Sequence, residues 1–199
     1  MVKIFVITYS MYGHVNKVAE SIVAGLKRGG VEVGRYQVAE TLSDDILAKM
    51  HAPPKTDIPV LKANDLPEAD GYLFGFPTRY GIAPAQMKAF FDATGSLWIK
   101  QQLSGKPAGI FYSTASQHGG QEVTAFTTLP FLAHHGMIFV PFGYGHPNLF
   151  DNSEVIGGSA WGAGTVANGD GSRQPTKKEL DIAEAQGEQF AKVAKKLAA

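Results

Sequence analysis

"YSMYGHVNK", residues 9–17, stands between the apolar run "VKIFVIT" at 2–8 and a stretch whose apolar residues recur at helical spacing. A strand that feeds a helix through a short polar turn with a glycine in it directs several free backbone N–H groups at one point, and such a point suits a phosphate. Taken alone, the turn leaves two readings open, an anion-binding loop and an ordinary strand-to-helix connection. Its flanks are clearer. Val15, Val18, Ala19, Ile22, Val23 and Leu26 form the inner face of a helix that ends near Gly29 and Gly30, and "VEVGRYQV" at 31–38 reads as a strand. The chain therefore opens as a β-α-β unit.

Working outward, "GYLFGF" (71–76) and "PAGIFYST" (107–114) are apolar on both faces, as buried parallel strands are, and "MIFVP" (137–141) reads as a short strand. Between them the pattern predicts a helix with Pro84 at its first position and Met87, Phe90, Phe91 and Thr94 inward, then one helix over about 121–135. A last helix presents Leu180, Ala183, Gly187, Phe190, Ala194 and Leu197, opened by a capping box of Thr176 and Glu179 behind Pro175. Four prolines make 51–70 a surface loop with short helical turns. Five strands alternating with helices predict an α/β fold, a doubly wound parallel sheet with helices on both faces. Ligands are expected where strand ends meet loops at the topological switch point, in the loops after the first, third and fourth strands. No internal repeat or linker divides 1–199, which reads as one domain with a Gly-rich insertion at about 142–174. That insertion carries eight glycines and no periodicity, the mark of a functional loop or of a segment packed on a neighbouring subunit.

Composition narrows the chemistry. With 44% hydrophobic and 18% charged residues the chain is that of a globular protein, and 18 Lys+Arg balance 18 Asp+Glu, which leaves no electrostatic footprint for nucleic acid or an acidic membrane. Cysteine is absent, so disulfides, thiolate metal sites and catalytic thiols are excluded and redox chemistry requires a bound cofactor. No leader pattern opens the chain and no run of about 18 apolar residues occurs, so the expectation is a soluble cytoplasmic protein with no integral membrane segment. The G-x-G-x-x-G and P-loop fingerprints are missing, as are H-E-x-x-H and a G-x-S-x-G elbow at a strand-to-helix turn. The loops "FPTRYG" and "STASQHGGQE" share the small, hydroxylic, glycine-containing character of the first, and three such loops at adjacent strand ends could enclose a planar cofactor with a phosphate tail.

The stretches "TYSMYGH", "PTRYG", "FFDATGSLW", "GGQE", "LAHHGM" and "NGDGSRQP" occur in this order over essentially the full length. Together they resemble the WrbA family of flavodoxin-like NAD(P)H:quinone oxidoreductases. The resemblance implies a flavodoxin-like five-stranded sheet, bound FMN, NADH or NADPH as hydride donor, and two-electron, ping-pong reduction of quinones with no catalytic side chain. It further implies that Ser10, Met11, Tyr12, Gly13, His14 and Val15 hold the FMN phosphate, and that Pro77, Thr78, Arg79 and Tyr80 run beside the ribityl chain and ring. Ser113, Thr114, Ala115, Ser116, Gln117, His118 and Gly119 are implied along the other edge, with Arg79 and His118 as candidate donors to the ring. His134 rather than His135 is implied to approach the cofactor, although two histidines before Gly136 also suit a helix C-terminus. Tyr12 and Trp98 are implied where nicotinamide or quinone stacks, Trp98 in a neighbouring subunit's site, and a homotetramer, a dimer of dimers, follows from the same likeness. One stretch departs from it: the family's third loop is richer in glycine, and Ala115, Gln117 and His118 are bulkier. Two rival classes are a one-electron flavodoxin-type carrier, which the zero net charge disfavours, and a regulatory protein that keeps FMN without turnover.

Overall fold

The computed structural model describes residues 1–198; Ala199, the last residue of the expected domain, lies outside them. The elements run β1 Lys3–Thr8, α1 His14–Arg28, β2 Glu32–Gln37, α2 Asp44–Lys49, β3 Gly71–Pro77, α3 Ala85–Asp92 and α4 Gly95–Ile99. They continue with β4 Pro107–Thr114, α5 Gln121–Phe126, α6 Leu129–His134, β5 Ile138–Phe139, β6 Gly164–Val166 and α7 Lys177–Leu197. The strands are parallel in the order β2-β1-β3-β4-β5, which is the flavodoxin-like winding, with its switch point between β1 and β3.

Because β1, β3 and β4 are covered on both faces, their residues split between two cores rather than between core and water. Phe5, Ile7, Tyr72, Phe74 and Phe76 pack with Met87, Phe90, Phe91 and Leu97 on one side. Ile4, Val6, Leu73 and Phe111 meet Val18, Ile22 and Leu26 of α1 and Ile182, Phe190 and Ala194 of α7 on the other. The two helices touch backbone to backbone. A Cβ on Gly25 would stand 1.9 Å from the Glu184 carbonyl oxygen, and one on Gly187 would stand 2.3 Å from that of Ile22.

Several expectations are corrected. The sheet has a sixth strand, β6, inside the segment read as structureless: Tyr112, Ser113 and Thr114 pair with Gly164, Thr165 and Val166, while β5 pairs only with Pro107 and Ala108 at the other end of β4. The helix expected over 121–135 is two. Thr124 and Thr128 turn their hydroxyls back to the carbonyls of Gly120 (2.7 Å) and Thr124 (2.9 Å), and Pro130 lacks the N–H that would continue the ladder. Pro84 sits one place earlier than expected, as the extended cap before Ala85. In α7 the buried stripe runs through Glu179, Ile182, Ala183, Gln186, Gly187, Phe190, Ala191 and Ala194, with Leu180 only half-buried and Leu197 exposed. Helix α2, which buries no residue, carries no apolar stripe to announce it.

Candidate active site

The first turn leaves a row of donors free. Tyr9 N–H donates to Gly75 O (2.9 Å) and Lys17 N–H to Gly13 O (3.1 Å), whereas none of the backbone N–H groups from Ser10 to Asn16 has an acceptor among the described residues. Gly13 is the N-cap of α1 with φ of 88°, no side chain caps the helix, and its first turn holds no acid. The positive end of the α1 dipole and seven unpaired N–H groups are thus left with nothing of the chain's own to neutralise them.

The turn borders a cleft of about 730 Å³. Ser10, Met11, Tyr12 and His14 line it from the first loop, Pro77, Thr78 and Arg79 from the second, and Ser113, Thr114 and Ala115 from the third. Hydrogen bonds fix the loops to each other: Thr78 N–H donates to Ser113 O (2.8 Å), and the Thr78 hydroxyl donates to Thr124 Oγ1 (2.7 Å), whose own proton is given to Gly120 O. Arg79 donates to Thr78 O (2.9 Å) and joins none of the ion pairs among the described residues, so its charge is open to the cleft.

Other candidates from the sequence lie elsewhere. Gly13 borders an adjoining depression and Val15 is buried in the core, and neither lines the cleft itself. Tyr80, at φ of 54°, is fully exposed and does not line the cleft. Ser116, Gln117, His118 and Gly119 do not line the cleft. The third loop folds on itself through Thr114 Oγ1 to Ser116 O (2.6 Å) and Gly119 N–H to Ser116 O (3.1 Å), and Gln117 and His118 border a shallow depression with Ile156 and Val166. The bulkier residues cost the loop no backbone strain, because its left-handed position falls on Gly120 (φ of 92°). His134 and Trp98 meet in a third depression, of about 480 Å³, with Ile99, Gln101, Ser104 and His135, and neither reaches the cleft of its own chain. His135 is the buried member of the pair, with Nε2 2.8 Å from Thr94 Oγ1; burial, and next the neighbouring His134, lowers its pKa.

One wall was not foreseen. Ala167, Asn168, Gly169, Asp170, Gly171 and Gln174 also line the cleft, and His14 Nε2 lies 3.0 Å from Gly171 O. The signal was the glycine-rich "NGDGSRQP", quoted for its likeness but given no role. This wall hangs from Glu179. The predicted capping box is present, and the same carboxylate, fully buried, also accepts from Gly157 N–H (2.8 Å), Val166 N–H (3.2 Å), the Thr165 hydroxyl (2.8 Å) and Arg173 (2.9 Å).

Beside the first loop, Glu40 accepts from Tyr9 Oη (2.9 Å), Gln86 Nε2 (2.7 Å) and the N–H groups of Thr41 (2.7 Å) and Leu42 (3.0 Å). Burial pushes its pKa up, but the bonds from Leu42, Gln86, Tyr9 and Thr41 outweigh it and hold the carboxyl below its usual range. A carboxyl lowered in this way stabilises the fold above its unfolded pKa, and the contribution is lost as pH falls through the folded value. Urea titrations across acid pH should show stability falling from about pH 4 downward, and the Glu40→Gln protein should show a shallower fall from a lower starting point.

The family described as NADPH-dependent FMN reductase matches residues 2–146. The quinone-oxidoreductase QR2 of Triphysaria versicolor is 53% identical over 197 residues, covering 98% of this chain and 96% of that protein. The NAD(P)H quinone oxidoreductase PST1 of Candida albicans is 55% identical over 190 residues, covering 96% of each. The chain belongs to the WrbA-like family of NAD(P)H quinone oxidoreductases. Among solved structures, the WrbA-like flavodoxin of Agrobacterium tumefaciens superposes with a TM-score of 0.68 at 23% identity, covering 98% of this chain and 99% of that one, which shows a shared fold. The match to the reductase family stops at residue 146, yet β6, the 167–174 wall and α7 come later. The similarity to the two quinone oxidoreductases covers 98% and 96% of this chain and so extends through them.

Proposed function

We propose that this WrbA-like chain is a single FMN-binding domain that reduces quinones to hydroquinones at the expense of NADH or NADPH. The observation that carries the reading is the uncapped row of N–H groups at the N-terminus of α1, set at the β1/β3 switch point inside a cleft of about 730 Å³. When bound, FMN would supply the two-electron redox chemistry that couples oxidation of NAD(P)H to reduction of the quinone, each substrate using the same site in turn. The balance is quinone plus NAD(P)H plus one solvent proton giving hydroquinone plus NAD(P)⁺.

The protein's part is to bind, orient and shield. The N–H groups of Ser10 to Val15 hold the phosphate. Pro77 and Thr78 would flank the ribityl chain, Arg79 would set a positive charge near the ring, and Ser113 to Ala115 would line the cleft beside it. Tyr12, half-exposed at the mouth with its hydroxyl on Met50 O (3.1 Å), is placed to stack against nicotinamide or quinone. Trp98 and His134, apart from their own cleft, serve the site of a neighbouring copy in a homotetramer. Trp98 is 51% exposed in the single chain, as a residue reserved for such a contact would be. Cytoplasmic residence belongs to the same proposal; among the described residues no helix is long and apolar enough to cross a membrane.

The test is NADH consumption with benzoquinone by purified protein, with and without FMN. FMN-dependent turnover supports the reading. A protein that takes up no flavin overturns it, and a bound flavin that NADH cannot bleach favours the one-electron carrier. The Gly13→Ala protein adds a local check. A Cβ there meets nothing within 4 Å, so the cost is that of a left-handed alanine, about 1 kcal/mol by urea denaturation. Its FMN affinity, read by quenching of flavin fluorescence, should drop by about tenfold as the donors turn away from the phosphate.

A further inference from the structure

The turn that presents the free N–H groups is tied shut at its base. Thr8 is the last residue of β1 and Asn16 lies in the first turn of α1. The Thr8 hydroxyl donates to Asn16 Oδ1 (3.1 Å), and Arg35, reaching across from β2, donates through Nη1 to Thr8 Oγ1 (2.7 Å) and through Nη2 to Asn16 Oδ1 (2.9 Å). A further bond from Nη1 to Tyr36 O (2.8 Å) fixes the guanidinium in place. All three acceptors are neutral, and Arg35 joins none of the ion pairs among the described residues. Burial draws its pKa down to about 10 and the Glu20 carboxylate pulls the other way, so the group is charged at neutral pH. A half-buried cation whose hydrogen bonds all go to neutral acceptors, with Glu20 acting on it from beyond ion-pair distance, is an arrangement that a nearby anion would favour. The nearest anion-seeking feature is the turn that it closes.

We infer that Arg35 is a positioning residue for the phosphate end of the cofactor: it clamps both ends of the 9–15 turn so that the N–H groups converge, and it sets a positive charge that is tied up in no ion pair behind them. The inference rests on the proposed FMN site. Asn16 acquires a role as well, as the acceptor through which strand and helix are joined.

The experiment compares FMN with riboflavin, which lacks the phosphate, by quenching of flavin fluorescence in wild type, Arg35→Met, Arg35→Lys and Asn16→Ala. Inorganic phosphate is titrated against the thermal unfolding of each flavin-free protein. Arg35→Met should weaken FMN by about 30-fold or more, with riboflavin changed less than about threefold, and should abolish the upward shift in Tm given by phosphate. Arg35→Lys keeps the charge without the fork, so its FMN loss should fall between wild type and Arg35→Met. Asn16→Ala leaves Arg35 in place, and its loss should again be confined to FMN. Equal losses of FMN and riboflavin, or unchanged FMN affinity in a folded Arg35→Met protein, would overturn the inference while leaving the quinone reductase reading intact. Wild type that binds no flavin would remove that reading, and the phosphate titration would then decide the clamp alone: a shift lost in Arg35→Met supports it, and a shift retained refutes it.

Discussion

The Glu179→Ala protein is expected to be less stable than wild type by about 3–5 kcal/mol, the cost of stripping one partner from a buried ion pair. The side chain of Glu179 has no solvent exposure and that of Arg173 only 17%. Removing the carboxylate strands the Arg173 cation together with the N–H groups of Gly157, Val166 and Thr176 and the hydroxyl of Thr165. These donors come from four places: the 157 bend, β6, the start of α7 and Arg173 itself. The loss is therefore cooperative, and β6 and the 167–174 wall should loosen together. Urea denaturation gives the stability. An FMN titration at low temperature, where the protein is still folded, should show weaker binding as well, because Gly171, which lies against His14, belongs to the wall that Glu179 anchors. Glu179→Gln fills the same space but must aim an amide NH₂ at donors, so it should recover only part of the stability.

Gly187→Val should be about as damaging, by a different mechanism. The first atom added at 187 meets the Ile22 carbonyl oxygen at 2.3 Å, and the Leu26 nitrogen stands at 2.9 Å. Neither is a side chain that can rotate away, so α1 and α7 must separate along their whole contact. A loss of about 3 kcal/mol or more is expected by urea denaturation. The control is Gly95→Ala in α4, where an added Cβ meets nothing within 4 Å; helix propensity should make that protein slightly more stable, by less than about 1 kcal/mol.

What could be read from the sequence follows from how local each signal is. β1, the first turn and α1 were legible because strand, glycine turn and amphipathic stripe sit next to one another, with Val15, Val18, Ile22 and Leu26 at helical spacing. The capping box was legible because Thr176 and Glu179 are three apart. The rest depended on contacts that spacing does not record. β6 is three residues long and exists only because the end of β4 has an open edge there. The break between α5 and α6 comes from hydroxyls turning back onto carbonyls, a choice that Thr124 and Thr128 share with many helical threonines. The fourth wall of the cleft lies some 150 residues from the first loop, and its only trace was a glycine-rich string. Arg35 resembled any exposed strand arginine until the fold brought Thr8 and Asn16 to it. Gln117 and His118 were placed in the cleft by likeness of loop, and the structure turns them outward; Trp98 and His134 stand in a depression of their own.

The contact between α1 and α7 also governs the order in which this chain can become a protein. Arg28 pairs with Glu188 across 160 residues of sequence, and the partners in each glycine contact, Gly25 with Glu184 and Gly187 with Ile22, are about as far apart along the chain. While the chain is being translated, Val18, Ile22 and Leu26 have emerged long before Ile182 and Phe190 exist to cover them, so the nascent sheet carries one bare apolar face. Closing a loop of that length is slow, and until α7 arrives the exposed face is the one on which chaperones would be expected to act.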